Sequence, residues 1–288
     1  MSLPSQKLRQ TQIARQSRNQ NLQTANGKSF AGHRQQIMES IECALARLSS
    51  DRDRSITVLG AGNCNDLDLD RLCNLFGAVS LLDLDEDAVD AALVRLVPEQ
   101  RSKIQVVAPV DLAAPLATIT AAQWQDDGAL PGICRVLLAP FDLLPTEPAD
   151  LVASTCVLSQ ILNALAYYVP PEHPHFPALV QAIRRGHILR MLQLLKPGGE
   201  GLLITDLVSS DTVPHLLMAK GMALPAILAR CLADSNFFSG LHPGIMLKEF
   251  TSSSDIAAMT EAPQMIAPWR WDLGPRAYAV YAISFRRK

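Results

Sequence analysis

Val58-Leu59-Gly60-Ala61-Gly62-Asn63-Cys64-Asn65-Asp66 is the stretch that decides the fold. The apolar run Ser55–Leu59 feeding it reads as a short strand buried on both faces. Gly60 and Gly62 then turn the chain, and without a Cβ they let a ligand approach the backbone closely. Beyond the turn, Leu69, Leu72, Cys73 and Phe76 recur at helical spacing, and Gly77 stands where a C-cap is expected. The unit therefore reads as strand, glycine turn, helix, with the free N–H groups of the helix start facing the turn. A tight turn that binds nothing has the same two glycines.

Working outward, the alternation continues. Val79–Leu82 reads as a strand, Asp85–Val97 as a helix stopped by Pro98, and Ile104–Val107 as a strand. A longer connection rich in Ala and Pro leads to a strand over Asp150–Ser154 and a helix over Leu158–Tyr168. Pro170–Pro177 (PPEHPHFP) must be a loop, because proline lacks the N–H and fixes φ. Leu179, Ile183, Gly186, Leu189, Leu192 and Leu195 line one helix face that ends at Lys196-Pro197-Gly198-Gly199, before a strand at Leu202–Asp206. Upstream, Ile37, Ile41, Ala44 and Leu48 mark a helix from about Gln36. After Ser210 the pattern fails: 211–262 reads as a helical, irregular insertion containing Met218, Met222 and His242. Trp269–Leu273 and Tyr278–Phe285, joined by Gly274-Pro275, read as a strand pair. Such alternation implies an α/β fold, a parallel sheet with helices on both faces and ligands beyond the carboxyl ends of its strands.

With 288 residues, 48% of them hydrophobic, the chain can bury one sizeable core. A net charge of −2 demands neither nucleic acid nor membrane. The charge is uneven, however. Lys7, Arg9, Arg15, Arg18, Lys28 and Arg34 stand with no acid before Glu39. This suggests a basic tail over 1–35, mobile unless docked, and a main domain over 36–288. The six cysteines form no C-x-x-C pair and have no histidines at zinc spacing, so the reading is no metal and a reducing, cytoplasmic setting. The Gln-rich start does not read as a secretory signal. Lys220, Pro225 and Arg230 interrupt Leu216–Leu232, the most apolar long stretch, so no membrane span is expected.

Two acidic residues stand at strand ends. Asp83, 21 residues beyond Gly62, follows the second strand, where a carboxylate can accept from two ribose hydroxyls. Its other reading is a helix cap, which Asp85 serves better. Asp111 follows the third strand, where it can accept from an adenine amino group while the Leu112 N–H meets a ring nitrogen; an ordinary loop aspartate is the alternative.

The order GAGNCND, LLDLDEDAV, VDL, ADLVASTCVLSQIL and LLKPGGEGLLITDL resembles the successive motifs of class I, Rossmann-like S-adenosylmethionine-dependent methyltransferases over about residues 55–208. The Leu-Leu-Lys-Pro-Gly-Gly piece separates this resemblance from nicotinamide dehydrogenases. It implies a three-layer fold around a seven-stranded, mostly parallel sheet with the last strand antiparallel. It also implies S-adenosylmethionine as cofactor, held by Gly60, Ala61, Gly62, Asn63, Asp83, Leu84, Asp111, Leu112 and Ser154. Two positions depart from the pattern. Val58 stands where the family often has an acid, and Cys64 stands at the third glycine. Asn63 or a carbonyl near Ser154 would then have to meet the methionine amino group.

Methyl transfer from a sulfonium needs positioning and exclusion of water more than a fixed catalytic constellation. Candidate catalytic groups are Ser159, Tyr168, His173 and His175; candidate substrate contacts are Gln160, Asn163 and His242. Each has a plainer reading: Ser159 as a cap, the histidines as solvated loop residues, Cys156 as a packed small side chain. Arg34 is either near the donor's carboxylate or simply a surface arginine. A small-molecule acceptor is expected. RNA or protein as acceptor rests on the basic tail alone, which has few aromatics for stacking. A nicotinamide-dependent oxidoreductase and a non-catalytic protein of this fold are the other readings.

Overall fold

The computed structural model describes Gln10 and residues 30–48, 53–219, 223–252 and 254–288. The expectations for a tail over 1–35 therefore lie largely outside the described residues. Within them, helix α1 spans Ala31–Leu45, about a turn earlier than the sequence suggests. Phe30 and His33 are buried and begin its inward face.

Strand β1 (Ser55–Leu59), helix α2 (Leu69–Leu75), β2 (Ala78–Leu82), α3 (Glu86–Leu93) and β3 (Ile104–Val107) follow in the expected order. Gly77 is not a left-handed cap. The cap is Phe76 in extended backbone, and the Gly77 N–H donates to Arg54 O at 2.9 Å. The connection after β3 holds short helical turns and helix α4 (Leu130–Leu138), whose apolar residues Ile133 and Leu137 face the sheet side. Then come β4 (Ala149–Thr155), α5 (Val157–Leu165), α6 (Phe176–Leu194) and a long β5 (Leu195–Ser209). The insertion carries α7 (Ala223–Ala233), α8 (Pro243–Ser252) and α9 (Ser254–Met259), and β6 (Thr260–Leu273) and β7 (Arg276–Arg287) close the chain.

The seven strands lie in the order β3-β2-β1-β4-β5-β7-β6. Strands β1 to β5 pair in parallel, and β7 runs antiparallel to both neighbours. The sheet is therefore the seven-stranded, mostly parallel one expected, with its last strand antiparallel. Two apolar cores fill its faces. One gathers α4, α5 and α6 with Leu203, Tyr281 and Phe285; the other gathers α1, α2 and α3 with Val58, Leu202 and Val280. Central strands buried on both faces explain their unbroken apolar runs. Gly186 on α6 marks the tightest helix contact, because a Cβ there would lie 2.0 Å from Leu137 O on α4.

Fully buried Glu200 joins the N-terminal helix to the sheet. It accepts from Arg47 at 2.9 Å and from Arg286 at 3.0 Å. No helix among the described residues is long and apolar enough to cross a membrane.

Candidate active site

Strands β1 and β4 are neighbours, with Leu59 opposite Ser154. From β1 the chain builds β2 and β3 to one side; from β4 it builds β5 to the other. This reversal opens a crevice beyond the carboxyl ends, where ligands of open α/β sheets bind. The glycine turn fills its floor. Gly60 (φ +79°) and Gly62 (φ +51°) are left-handed, a conformation that a Cβ disfavours. A Cβ on Gly60 would also lie 2.9 Å from Val157 Cβ. The Thr155 hydroxyl donates to Leu59 O and Gly60 O at 3.2 and 3.1 Å, tying β4 to the turn.

Asp83 ties the turn from the other side. It accepts from Gly62 N at 2.7 Å and from Asp85 N at 2.9 Å, and it is buried. Burial raises its pKa, against the pull of these N–H groups. Asp85 caps α3 by accepting from Ala88 N at 3.2 Å. The helix start is not where the sequence suggests. The turn does not run directly into a helix, and α2 begins only at Leu69, capped by Asp68 accepting from Arg71 N. The helix start beside Gly60 is instead that of α5, whose cap residue Cys156 makes no side-chain hydrogen bond.

A cavity of about 1060 Å³ opens from the turn. Its wall includes Gly60–Asn63, Thr155, Cys156, Gln160, Asn163 and, from the insertion, Phe238, Ser239 and Leu241. A recess beside it is bounded by Asp83, Leu84, Asp85, Asp111 and Leu112. The charge is one-sided. Among the described residues, the cavity presents Asp66, Asp206 and Asp211 against Arg276, which pairs with Asp211 at 3.4 Å. The recess adds three carboxylates and no cation. Loss of hydration pushes Asp66 up to about 6, with Arg34 opposing the rise. Burial pushes the Cys156 thiol well up, so it stays a neutral wall group.

No protein-family model matches the chain, and no curated protein matches it in sequence. Solved structures similar in shape include the N-methyltransferase NodS of Bradyrhizobium japonicum WM9, at 12% identity and TM-score 0.39 over 88% of this chain and 95% of that one. Another is the 1,6-didemethyltoxoflavin-N1-methyltransferase of Burkholderia thailandensis, with 1,6-didemethyltoxoflavin and S-adenosylhomocysteine bound, at 11% identity and TM-score 0.46 over 100% and 92%. A third is an rRNA methylase of Streptococcus thermophilus, at 13% identity and TM-score 0.36 over 87% and 95%.

The crevice gathers most of the residues expected there. Gly60, Ala61, Gly62, Asn63, Gln160, Asn163 and Ser159 line the cavity, and Asp83, Leu84, Asp111 and Leu112 line the recess. Asp111 is exposed and accepts from Ala113 N at 2.8 Å. Ser159 donates to Cys156 O at 3.1 Å and to the Asp206 carboxylate, so it is more than a cap.

Five candidates do not reach the cavity. Ser154 is fully buried and turned to His187 on α6, at 2.8 Å; alternation along the strand gives the crevice its neighbour Thr155 instead. Tyr168 stacks on Trp124. His173 accepts from His175 N, and His175 pairs with Asp127 at 3.2 Å. His242 accepts from Gly244 N and lies against Phe237. The proline-rich stretch does reach the cavity, through Pro171 in the loop and through Phe176, and not through its histidines; Phe176 and Pro177 are not loop as expected but open α6, where a first-turn proline is tolerated. Arg34 donates to Asn65 O at 2.9 Å, seating α1 on the turn.

Sequence reading missed Asp66, Asp206, Phe30, Trp271 and Tyr278, which all line the cavity. Asp66 and Asp206 had a signal, since Asp66 ends the stretch that holds the glycine turn and Asp206 ends the run Leu202–Asp206 read as a strand, inside β5. Trp271 and Tyr278 face each other across the terminal hairpin, but Phe30 is more than two hundred residues away, and only the packing of α1 brings it to them.

Proposed function

We propose that the chain is an S-adenosylmethionine-dependent methyltransferase with a small-molecule acceptor. The observation carrying this reading is a cavity at the sheet's switch point whose charged lining is almost wholly carboxylate. S-adenosylmethionine is cationic at its sulfonium and its ammonium, and such a lining favours it. The dianionic pyrophosphate of a nicotinamide cofactor would meet the same carboxylates.

The residues fit the donor part by part. Asp83 stands at the end of β2 for the ribose hydroxyls, and the recess of Leu84, Asp111 and Leu112 suits an adenine ring. Val58 is fully buried in the core and cannot meet the methionine ammonium. Asp66, on the cavity wall beside the turn, takes that part. When bound, the donor supplies a methyl group on a good leaving group. The chain's own part is to align the acceptor and keep water out. About 1060 Å³ is at the upper end of the range for small-molecule pockets and gives room for an acceptor beside the donor.

Calorimetry with S-adenosylhomocysteine and with NAD tests the proposal. Micromolar binding of the first with none of the second is expected; binding of NAD alone would overturn it.

A further inference from the structure

The half of the cavity farther along the sheet, under α1, is built differently from the glycine-turn half. Trp271 on β6 pairs with Tyr278 on β7, and their rings lie 5.3 Å apart. Phe30, at the start of α1, lies 6.0 Å from Trp271. The wall is held stiffly from behind. The Trp269 indole donates to His33 Nδ1 at 2.9 Å, and the His33 ring stacks on Trp271 at 4.3 Å and 11°. Burial lowers His33 to about 3, so the backing ring is neutral.

Asp206 reaches the same cavity from β5, the strand next to β7, and Ser159 donates to its carboxylate. Among the described residues, the lining's cation is Arg276, which pairs with Asp211 at 3.4 Å. The Trp271 indole N–H is buried, in a residue only 8% exposed, and has no acceptor among the described residues. A rigid aromatic face and a carboxylate lining one cavity favour a cation, because ring faces and carboxylate both carry negative potential. A wall already held in place loses little freedom on binding.

We infer that the acceptor is an aromatic compound bearing an ammonium group, its ring on the Phe30–Trp271–Tyr278 wall and its ammonium at Asp206. This inference names the acceptor class of the methyltransferase reading and rests on that reading for the word acceptor. The binding preference itself does not depend on the donor.

The test is titration calorimetry of the full chain, saturated with S-adenosylhomocysteine, with three indoles of matched size. Tryptamine carries an ammonium, tryptophol a hydroxyl and indole-3-propionate a carboxylate. Tryptamine is expected to bind at least tenfold tighter than tryptophol, with indole-3-propionate weakest. Asp206→Asn should bring tryptamine to within about threefold of tryptophol, while Trp271→Leu should weaken all three alike. Unchanged melting curves identify the variants that fold. Tryptophol binding as tightly as tryptamine, an unmoved ratio in folded Asp206→Asn, or no tryptamine binding at millimolar concentration would each overturn the inference. Failure of S-adenosylhomocysteine to bind would overturn the donor reading alone, and the three indoles are then compared on the unliganded chain.

Discussion

Replacing Asp83 by asparagine separates the scaffold of the glycine turn from its use. In the wild-type chain both carboxylate oxygens are engaged, one by Gly62 N at 2.7 Å and one by Asp85 N at 2.9 Å. A hydrogen bond to a charged acceptor contributes about 1.5–3 kcal/mol, and a neutral one about 0.5–1.5 kcal/mol. Asparagine offers one oxygen and one NH2. Whichever way the amide is turned, a donor faces a donor, so one bond is lost and the other becomes neutral. Removing a charge whose burial is unfavourable gives part of this back. The net loss should be about 1–3 kcal/mol, a fall of several degrees in the melting temperature of a chain this size. The affinity for S-adenosylhomocysteine should drop by about tenfold or more, since charge-assisted bonds to the ribose go as well. 5′-Methylthioadenosine, which keeps the ribose, should lose the same factor. A lower melting temperature with unchanged affinity would show that Asp83 only braces the turn. No change in either would refute the reasoning altogether.

Asp66→Asn should weaken S-adenosylhomocysteine by about tenfold, the loss of one charge-assisted contact of about 1.4 kcal/mol, and leave 5′-methylthioadenosine, which has no ammonium, unaffected; equal losses for both would place Asp66 elsewhere. Gly186→Ala puts a methyl 2.0 Å from Leu137 O, so α4 and α6 must part. The overlap, up to about 3 kcal/mol, outweighs a helix-propensity gain of about 1 kcal/mol, and the urea midpoint should fall with an unchanged slope. The buried imidazoles of His33 and His187 are held near 3, chiefly by desolvation, against an ordinary 6.5. Above pH 6.5 they are neutral in both states; below it the unfolded chain takes up protons that the folded chain refuses, so stability falls from pH 6.5 towards 3. His187→Gln, which can still reach Ser154, should flatten the fall of melting temperature between pH 6.5 and 5, and an unaltered slope would show that His187 titrates normally. Asp66, raised from 3.8 to about 6, works the other way, disfavouring the folded state as pH rises through that window.

How much of this was legible in the sequence depends on the range of the interaction. Strands β1, β2 and β3 were readable almost to the residue: β1 from a run buried on both faces, and β2 and the edge strand β3 from apolar residues around Ser80 and Gln105. The terminal hairpin was readable from Gly274-Pro275, although β6 begins at Thr260, where its exposed face hides the pattern. The proposed donor-side positions were legible because each follows a strand end, Gly60 and Asp83 immediately after β1 and β2, and Asp111 and Leu112 four and five residues after β3. Ser154 was misplaced for the reason that makes strands readable: a shift of one residue turns a side chain to the other face. The histidines were chosen for their chemistry, and nothing local says which loop residue turns inward. The aromatic wall could not be read whole, since α1 must pack on the β6–β7 hairpin, a contact set over more than two hundred residues of chain, as with Trp269 and His33.

The geometry of the turn accounts for one departure from the resemblance. At the third-glycine position Cys64 has φ +50°, and at the head of α5 Cys156 has the same value. What these positions require is the left-handed region, which glycine meets freely and other residues meet at about 1–3 kcal/mol. Such a residue persists only where its surroundings over-determine it. Cys64 N donates to Ala61 O at 2.8 Å and its side chain is fully buried in the core beneath α1. Cys156 N donates to Ile204 O at 2.9 Å across the sheet. Glycine at 64 would relieve strain but leave a void, so a small apolar side chain is a workable compromise. The substitution therefore leaves the path of the turn intact. The loss of an acid at Val58 is different in kind: it removes a charge, and only a carboxylate reaching the cavity from elsewhere, as Asp66 does, can restore it.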